Sequence, residues 1–156
     1  RLLITLYLVS AGILEKPLLY LSEFFEKNRS LYYDNLTFVR TKNDLGQWIK
    51  YFLVGVTETS EKAVSTLKSI IDLKAAIEKE RIPEFGKRSK HAGHLFNKLF
   101  SKPVLNVKDI QEITGLSPKA AYDLVEIFIG AGILKETTGY QRNRVFVFED
   151  YMRLFR

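Results

Sequence analysis

Apolar residues recur along the first eighty positions at spacings of three and four, the period of a helix that buries one face. The chain opens RLLITLYLVSAGIL, with no charge between Arg1 and Glu15. Leu2, Leu3, Leu6, Val9 and Ile13 keep helical step, while Tyr7 and Leu14 widen the apolar arc. Gly12 is a C-terminal stop for this helix. The uncharged run is too short for a membrane span, which needs about 20 residues. One Arg and no A-x-A cleavage pattern argue against a signal peptide. A helix apolar nearly all round belongs in a core, so the chain is expected to be part of a longer protein.

Pro17, suited to a first helical position, opens PLLYLSEFFEKNRSLYYDNLTFVR. Leu18, Leu21, Phe24, Phe25, Leu31, Tyr32 and Leu36 predict one helix running to Arg40. TKNDLG is a polar loop with Asp44 as a candidate N-cap. Trp48, Phe52 and Val56 mark a third helix, which TETSEKAVSTLKSIIDLKAAIEKER either continues or replaces with a fourth. Ile82-Pro83-Glu84-Phe85-Gly86 breaks the pattern. The expected domains are therefore 1–82, a linker at 83–89, and 90–156.

The second half changes character. KHAGHLFNKLFSKP predicts a helix ended at Pro103. Asn106 caps a short helix stopped at Gly115, and Ser117 with Pro118 starts another that ends near Gly130–Gly132. Ile133–Thr137 and Arg144–Phe148 predict a hairpin around a turn at 138–143. Glu149–Arg156 predicts a short amphipathic helix. Three helices followed by a hairpin is the order of a winged helix. Leu116-Ser117…Gly132-Ile133-Leu134 resembles the recognition-helix stretch of that superfamily. The fold class expected is mainly α, with a winged helix-turn-helix domain and a small β-hairpin wing after a helical region.

Charge sharpens the picture only in the second half. The chain carries a net charge of +6. Residues 1–86 hold 12 Lys and Arg against 11 Asp and Glu, whereas residues 87–156 hold 12 against 7. A basic excess confined to the helix-turn-helix half points to an anionic partner there, DNA in the first instance. The candidate DNA-binding residues are Lys119 and Tyr122 on the recognition helix and Arg142, Asn143 and Arg144 at the wing. Lys87, Arg88 and Lys90 could add phosphate contacts. Asp123 and Glu126 lie on the same outward helix face and work against phosphate attraction.

No cysteine is present, which excludes disulfides and Cys-ligated zinc and suits a cytoplasmic location. His91 and His94 share a helix face, but no carboxylate or thiol stands beside them to complete a metal site. No P-loop, G-x-S-x-G or H-E-x-x-H motif occurs. The expectation is that these residues alone catalyse nothing and hold no metal.

Arg1-Leu-Leu-Ile, Lys16-Pro-Leu-Leu-Tyr-Leu-Ser22, Asn28-Arg-Ser-Leu-Tyr-Tyr-Asp-Asn-Leu36 and Trp48-Ile-Lys-Tyr-Phe-Leu53 together resemble the C-terminal part of the Fic (Fic/DOC) family. In that family a helix beginning R-L-L follows the active-site motif H-P-F-x-[DE]-G-N-G-R-x-G-R, and Arg1 would be its last Arg. Many bacterial members carry a winged helix after a linker. The resemblance implies a parent protein that transfers AMP from ATP, with Mg²⁺, to a hydroxyl of a target protein. The motif's His, acidic residue and glycine turn are absent here. The resemblance implies nucleotide contacts for Arg1, Tyr32, Tyr33 and Arg40. It also implies an exposed apolar surface on the first helices, through which a chain of only these residues would form a homodimer or pack against its own long helix at 61–81. The competing expectation, from another functional class, is a winged-helix transcriptional regulator or adaptor with a helical dimerisation domain. Neither expectation involves a membrane.

Overall fold

The computed structural model describes residues 2–13, 21–140 and 143–155. It is mainly helical, with one small three-stranded antiparallel sheet. The chain divides into two compact units, one ending at Leu67 and one starting at Lys68.

Helix α1 spans Leu2–Ser10 and ends where expected. Gly12 adopts φ +69°, and the amide of Ile13 donates to the Leu8 carbonyl at 3.0 Å. Leu3, Leu6, Tyr7 and Ile13 are exposed. Pro17 lies outside the described residues. The single helix expected through Arg40 is two, α2 at Leu21–Lys27 and α3 at Arg29–Lys42. The break falls at Asn28. Its φ of −108° and ψ of 39° leave the helical region, and its side-chain amide donates to the Phe24 carbonyl at 3.0 Å. Asn side chains compete for backbone groups in this way.

Asn43 ends α3 in the left-handed region, and Asp44 accepts from the amide of Gln47 at 3.0 Å. That bond caps α4, Leu45–Glu80, a single helix through both of the stretches left open by periodicity. The first unit's core is Leu21, Phe24, Phe25 and Tyr51, with Tyr32, Trp48, Phe52 and Val56 packed against it. Gly55 lets α2 come close: a Cβ there would meet ring carbons of Phe24 at 2.6 Å.

The second unit begins with the end of α4, whose Ile77 is buried. Residues Ile82–Arg88 form a 3-10 turn with Pro83 near its start. Ile82 and Phe85, three apart, eclipse on one side of such a turn. Ile82 is buried and the Phe85 ring meets Phe128 edge-on at 5.3 Å. Of the stretch expected as a linker, Phe85 packs against this unit's core, while Pro83, Glu84, Gly86, Lys87 and Arg88 are exposed. Helix α5 spans Ser89–Leu99, α6 Val107–Thr114 and α7 Pro118–Gly130. Asn106 and Asp109 make a reciprocal capping box at α6, and Gly115 leaves α6 at φ +70°.

Three strands complete the unit: β1 at Val104–Asn106, β2 at Lys135–Glu136 and β3 at Val145–Val147, in the order β1-β3-β2. The β2–β3 hairpin was expected and β1 was not. Leu105 and Glu136 both pair with Phe146, which is fully buried. Helix α8, Glu149–Arg153, follows, and Tyr151 donates to the Phe100 carbonyl at 3.3 Å.

Candidate interaction face of α7 and the hairpin

Ser117 is extended, and its hydroxyl oxygen accepts from the Ala120 amide at 3.4 Å. The helix it starts buries Ala121, Leu124, Val125 and Phe128. A helical period then turns Lys119, Tyr122, Asp123 and Glu126 outward. Lys119 is exposed and Tyr122 is 38% exposed. Two of the candidate DNA-binding residues therefore share one face, and two carboxylates share it with them.

The hairpin contributes Arg144, whose guanidinium is committed to carboxylates. Nε and Nη2 reach Glu136 at 2.7 and 2.6 Å, and Nη1 reaches Glu126 on α7 at 2.7 Å. Its side chain is 22% exposed, and the guanidinium also sits 5.2 Å from the Phe146 ring centre. Hydrogen bonds to Glu136 and then to Glu126 raise its pKa further above the ordinary arginine value. Glu136 moves the other way: the hydrogen bond from Arg144 is the largest cause that lowers its pKa. An arginine held between two carboxylates ties the hairpin to α7 and presents little charge to a phosphate. Glu136 went unnoticed in the sequence. Its signal was a carboxylate on β2 facing a cation two residues before its cross-strand partner Phe146.

Asp123 pairs with Arg88 at 3.1 Å, so a second cation proposed for phosphate contact is also engaged. Asn143 is exposed with φ +54°, the left-handed position at the tip of the hairpin. Arg142 lies outside the described residues.

The nucleotide-site candidates sit on α3. Tyr32 points into the aromatic cluster, its ring 5.1 Å from Phe25 and 5.7 Å from Trp48. Tyr33 is 50% exposed, with the Arg29 guanidinium 5.9 Å from its ring centre. Arg40 is exposed in the last turn of α3. Seven residues are nearly two whole turns, so Tyr33 and Arg40 share one outward stripe that Tyr32 leaves. Arg1 lies outside the described residues.

No family model matches this chain.

Among the described residues no three His, Cys, Asp or Glu side chains gather as a metal site, and no helix is long and apolar enough to cross a membrane. His91 is half-buried and His94 exposed on α5.

Acid should loosen this unit through three carboxylates. At Asp109 burial opposes ionisation, but hydrogen bonds from Lys102 and the Asn106 amide outweigh it and lower the pKa. Lys135 first, then Arg153, lowers that of Glu149. With Glu136, all three ionise more readily folded than unfolded. Their stabilisation is present above the ordinary carboxylate pKa and is lost as pH falls through the depressed folded values. The melting temperature of the second unit is expected to fall between about pH 5 and pH 3. In Arg144→Met the fall should be shallower, because the Glu136 contribution is gone. An identical pH profile in wild type and variant would show that the Arg144 pair contributes nothing.

Proposed function

We propose that these 156 residues belong to a Fic-type protein AMP transferase and follow its active-site motif, with the second unit as a winged helix-turn-helix module. The observation that carries the reading is the outward stripe on α3. Tyr33 offers a half-exposed aromatic ring for a base and Arg40 a fork for phosphate, on the helix where the family resemblance puts nucleotide contacts. Tyr32 supports the stripe from inside by packing between Phe25 and Trp48. The element order α5-β1-α6-α7-β2-β3 supports the winged-helix part of the reading.

In the parent, ATP supplies the AMP group, and Mg²⁺ offsets the charge that develops on its phosphates. The residues present contribute binding and orientation. Tyr33 stacks on the base, Arg40 neutralises phosphate charge, and Phe25 with Trp48 holds α3 in place. The His that would take the proton from the target hydroxyl is not among these residues. A protein carrying a serine, threonine or tyrosine hydroxyl is the partner this reading names, with a cytoplasmic location.

The coding sequence immediately upstream of Arg1 tests the reading directly: H-P-F-x-[DE]-G-N-G-R-x-G supports it and any other sequence overturns it. In that parent, Tyr33→Ala is expected to raise KM for ATP roughly tenfold with kcat little changed, since a base-stacking contact is worth about 1–3 kcal/mol. An unchanged KM would remove Tyr33 from the nucleotide site.

The winged-helix regulator with a helical dimerisation domain is a second reading. The exposed Leu3, Leu6, Tyr7 and Ile13 of α1 favour it, because apolar side chains of this size call for a covering surface. The upstream coding sequence separates the two, since both readings expect the isolated chain to self-associate.

A further inference from the structure

The basic excess of the second unit is not spread evenly over its surface. From Lys87 onward half of its described cations are matched, and outside α5 and the turn before it Lys108 and Lys119 are not. Arg88 pairs with Asp123, Lys102 with Asp109, Lys135 with Glu149, Arg144 with Glu126 and Glu136, and Arg153 with Glu149. The helix sequence SKHAGHLFNKL of α5 contains no acidic residue. Its Lys90 and Lys98, with Lys87 just before it, are exposed and form no ion pair among the described residues.

These residues also share a direction. Ala92, Leu95, Phe96 and Leu99 face the core. The helical period then sets Lys90, His94 and Lys98 on the opposite side, in steps of about 6 Å and about 12 Å end to end. His94 and Asn97, between the two lysines, are exposed and polar. The stripe thus presents positive charge and hydrogen-bonding groups along a straight line, without a neutralising carboxylate on the helix.

The chemistry of the stripe selects its partner. Protein interfaces are anchored by Tyr, Trp, Phe and apolar side chains and are depleted in Lys, and the outward residues Lys90, His94, Asn97 and Lys98 include none of these anchors. Membrane-surface helices bury an apolar face in the lipid, but the apolar face of α5 is already in the core. Single strands are bound on platforms of several exposed aromatic rings, and α5 carries only the His94 imidazole on this side. A row of free lysines on a smooth helix suits the regularly spaced charges of a duplex backbone, which require no groove and no anchor.

We infer that the solvent face of α5, through Lys90 and Lys98 with Lys87 beside them, binds the phosphate backbone of duplex DNA without sequence preference. The α7 and hairpin face, where Arg144 is held by Glu126 and Glu136 and Asp123 is paired with Arg88 of the 3-10 turn, is not the main contact. This inference does not rest on the AMP-transferase reading and survives its failure.

The test uses the full chain and two fluorescent 24-base-pair duplexes of unrelated sequence, titrated from about 50 to 200 mM salt. Both duplexes should bind equally, and affinity should fall steeply with salt. In Lys90→Gln/Lys98→Gln, the slope of log K against log salt should become shallower by about 1.8, and binding near 0.1 M salt should weaken by roughly fiftyfold. Both side chains are exposed, and an unchanged circular dichroism melt certifies the fold. Lys135→Gln, which removes a paired lysine outside α5, should leave the slope as it is. Three outcomes overturn the inference: no duplex binding at the lowest salt, an unchanged slope in the double variant, or binding to polyglutamate but not to duplex.

Discussion

Phe25→Ala is expected to unfold the first unit and leave the second folded. Phe25 is fully buried and touches most of its cluster, with ring centres of Tyr32, Phe24, Tyr51 and Trp48 at 5.1, 5.9, 6.1 and 6.4 Å. Truncating a buried Phe to Ala costs about 3–5 kcal/mol. Whole domains are stable by about 5–15 kcal/mol, and among the described residues Leu21, Phe24, Phe25 and Tyr51 are the buried apolar side chains of this cluster. Hydrogen exchange resolved along the chain gives the readout. Amides of α2, α3 and the part of α4 up to residue 67 should lose protection. Those of residues 68–80 should keep it, because Ile77 is buried in the other cluster. Loss of protection throughout the second unit would show that the two units do not fold separately.

The mirror experiment is Phe128→Ala. Phe128 is fully buried on α7 and its ring meets Phe85 from the 3-10 turn. The same cost of about 3–5 kcal/mol applies, now to the second unit. The informative residues are 82–88. If they belong to this core, their protection falls together with that of α7 and α5, and the aromatic signals of Phe96, Phe100 and Phe148 collapse with them, since these three rings stack edge to edge at 5.2–5.9 Å. A stretch already unprotected in the wild type would be a linker, and the packing of Phe85 would then be worth nothing.

Both experiments address the boundary, which the sequence places at a helix break and the packing places within α4. Pro83 and Gly86 signal a break in the helix, and the helix does end there. A break in secondary structure is a local event, whereas a unit is defined by which side chains share a core. Ile77 and Phe85, on either side of the break, go to the same cluster. The division therefore falls at Leu67, inside an uninterrupted helix.

Other elements divide along the same line. The caps at Asn106 and Ser117 and the exits at Gly115 and Gly132 were legible, because each depends on residues within four positions. Asn28 was missed because apolar spacing runs through it unbroken, and the stop shows only in its backbone, at φ −108° and ψ 39°. Strand β1 was missed because three residues carry no periodicity. It exists through pairing with β3, some forty positions away.

The candidate sites follow suit. The tyrosine pair was visible in the sequence, but which ring turns inward is set by Phe25 and Trp48. Lys90 and Lys98 could be read as a stripe from their spacing alone. Arg144 could be read only as a cation at a wing.

By itself the sequence determined the helices with strong apolar period, their caps, the hairpin and the bias of positive charge to the second half, since all of these depend on neighbours along the chain. Only the tertiary structure decided which charges are already matched. An ion pair such as Arg144 with Glu126 joins residues on separate elements. Whether a cation is free for a partner depends on what folding brings within reach of it, and that distance is written in no short stretch of the chain.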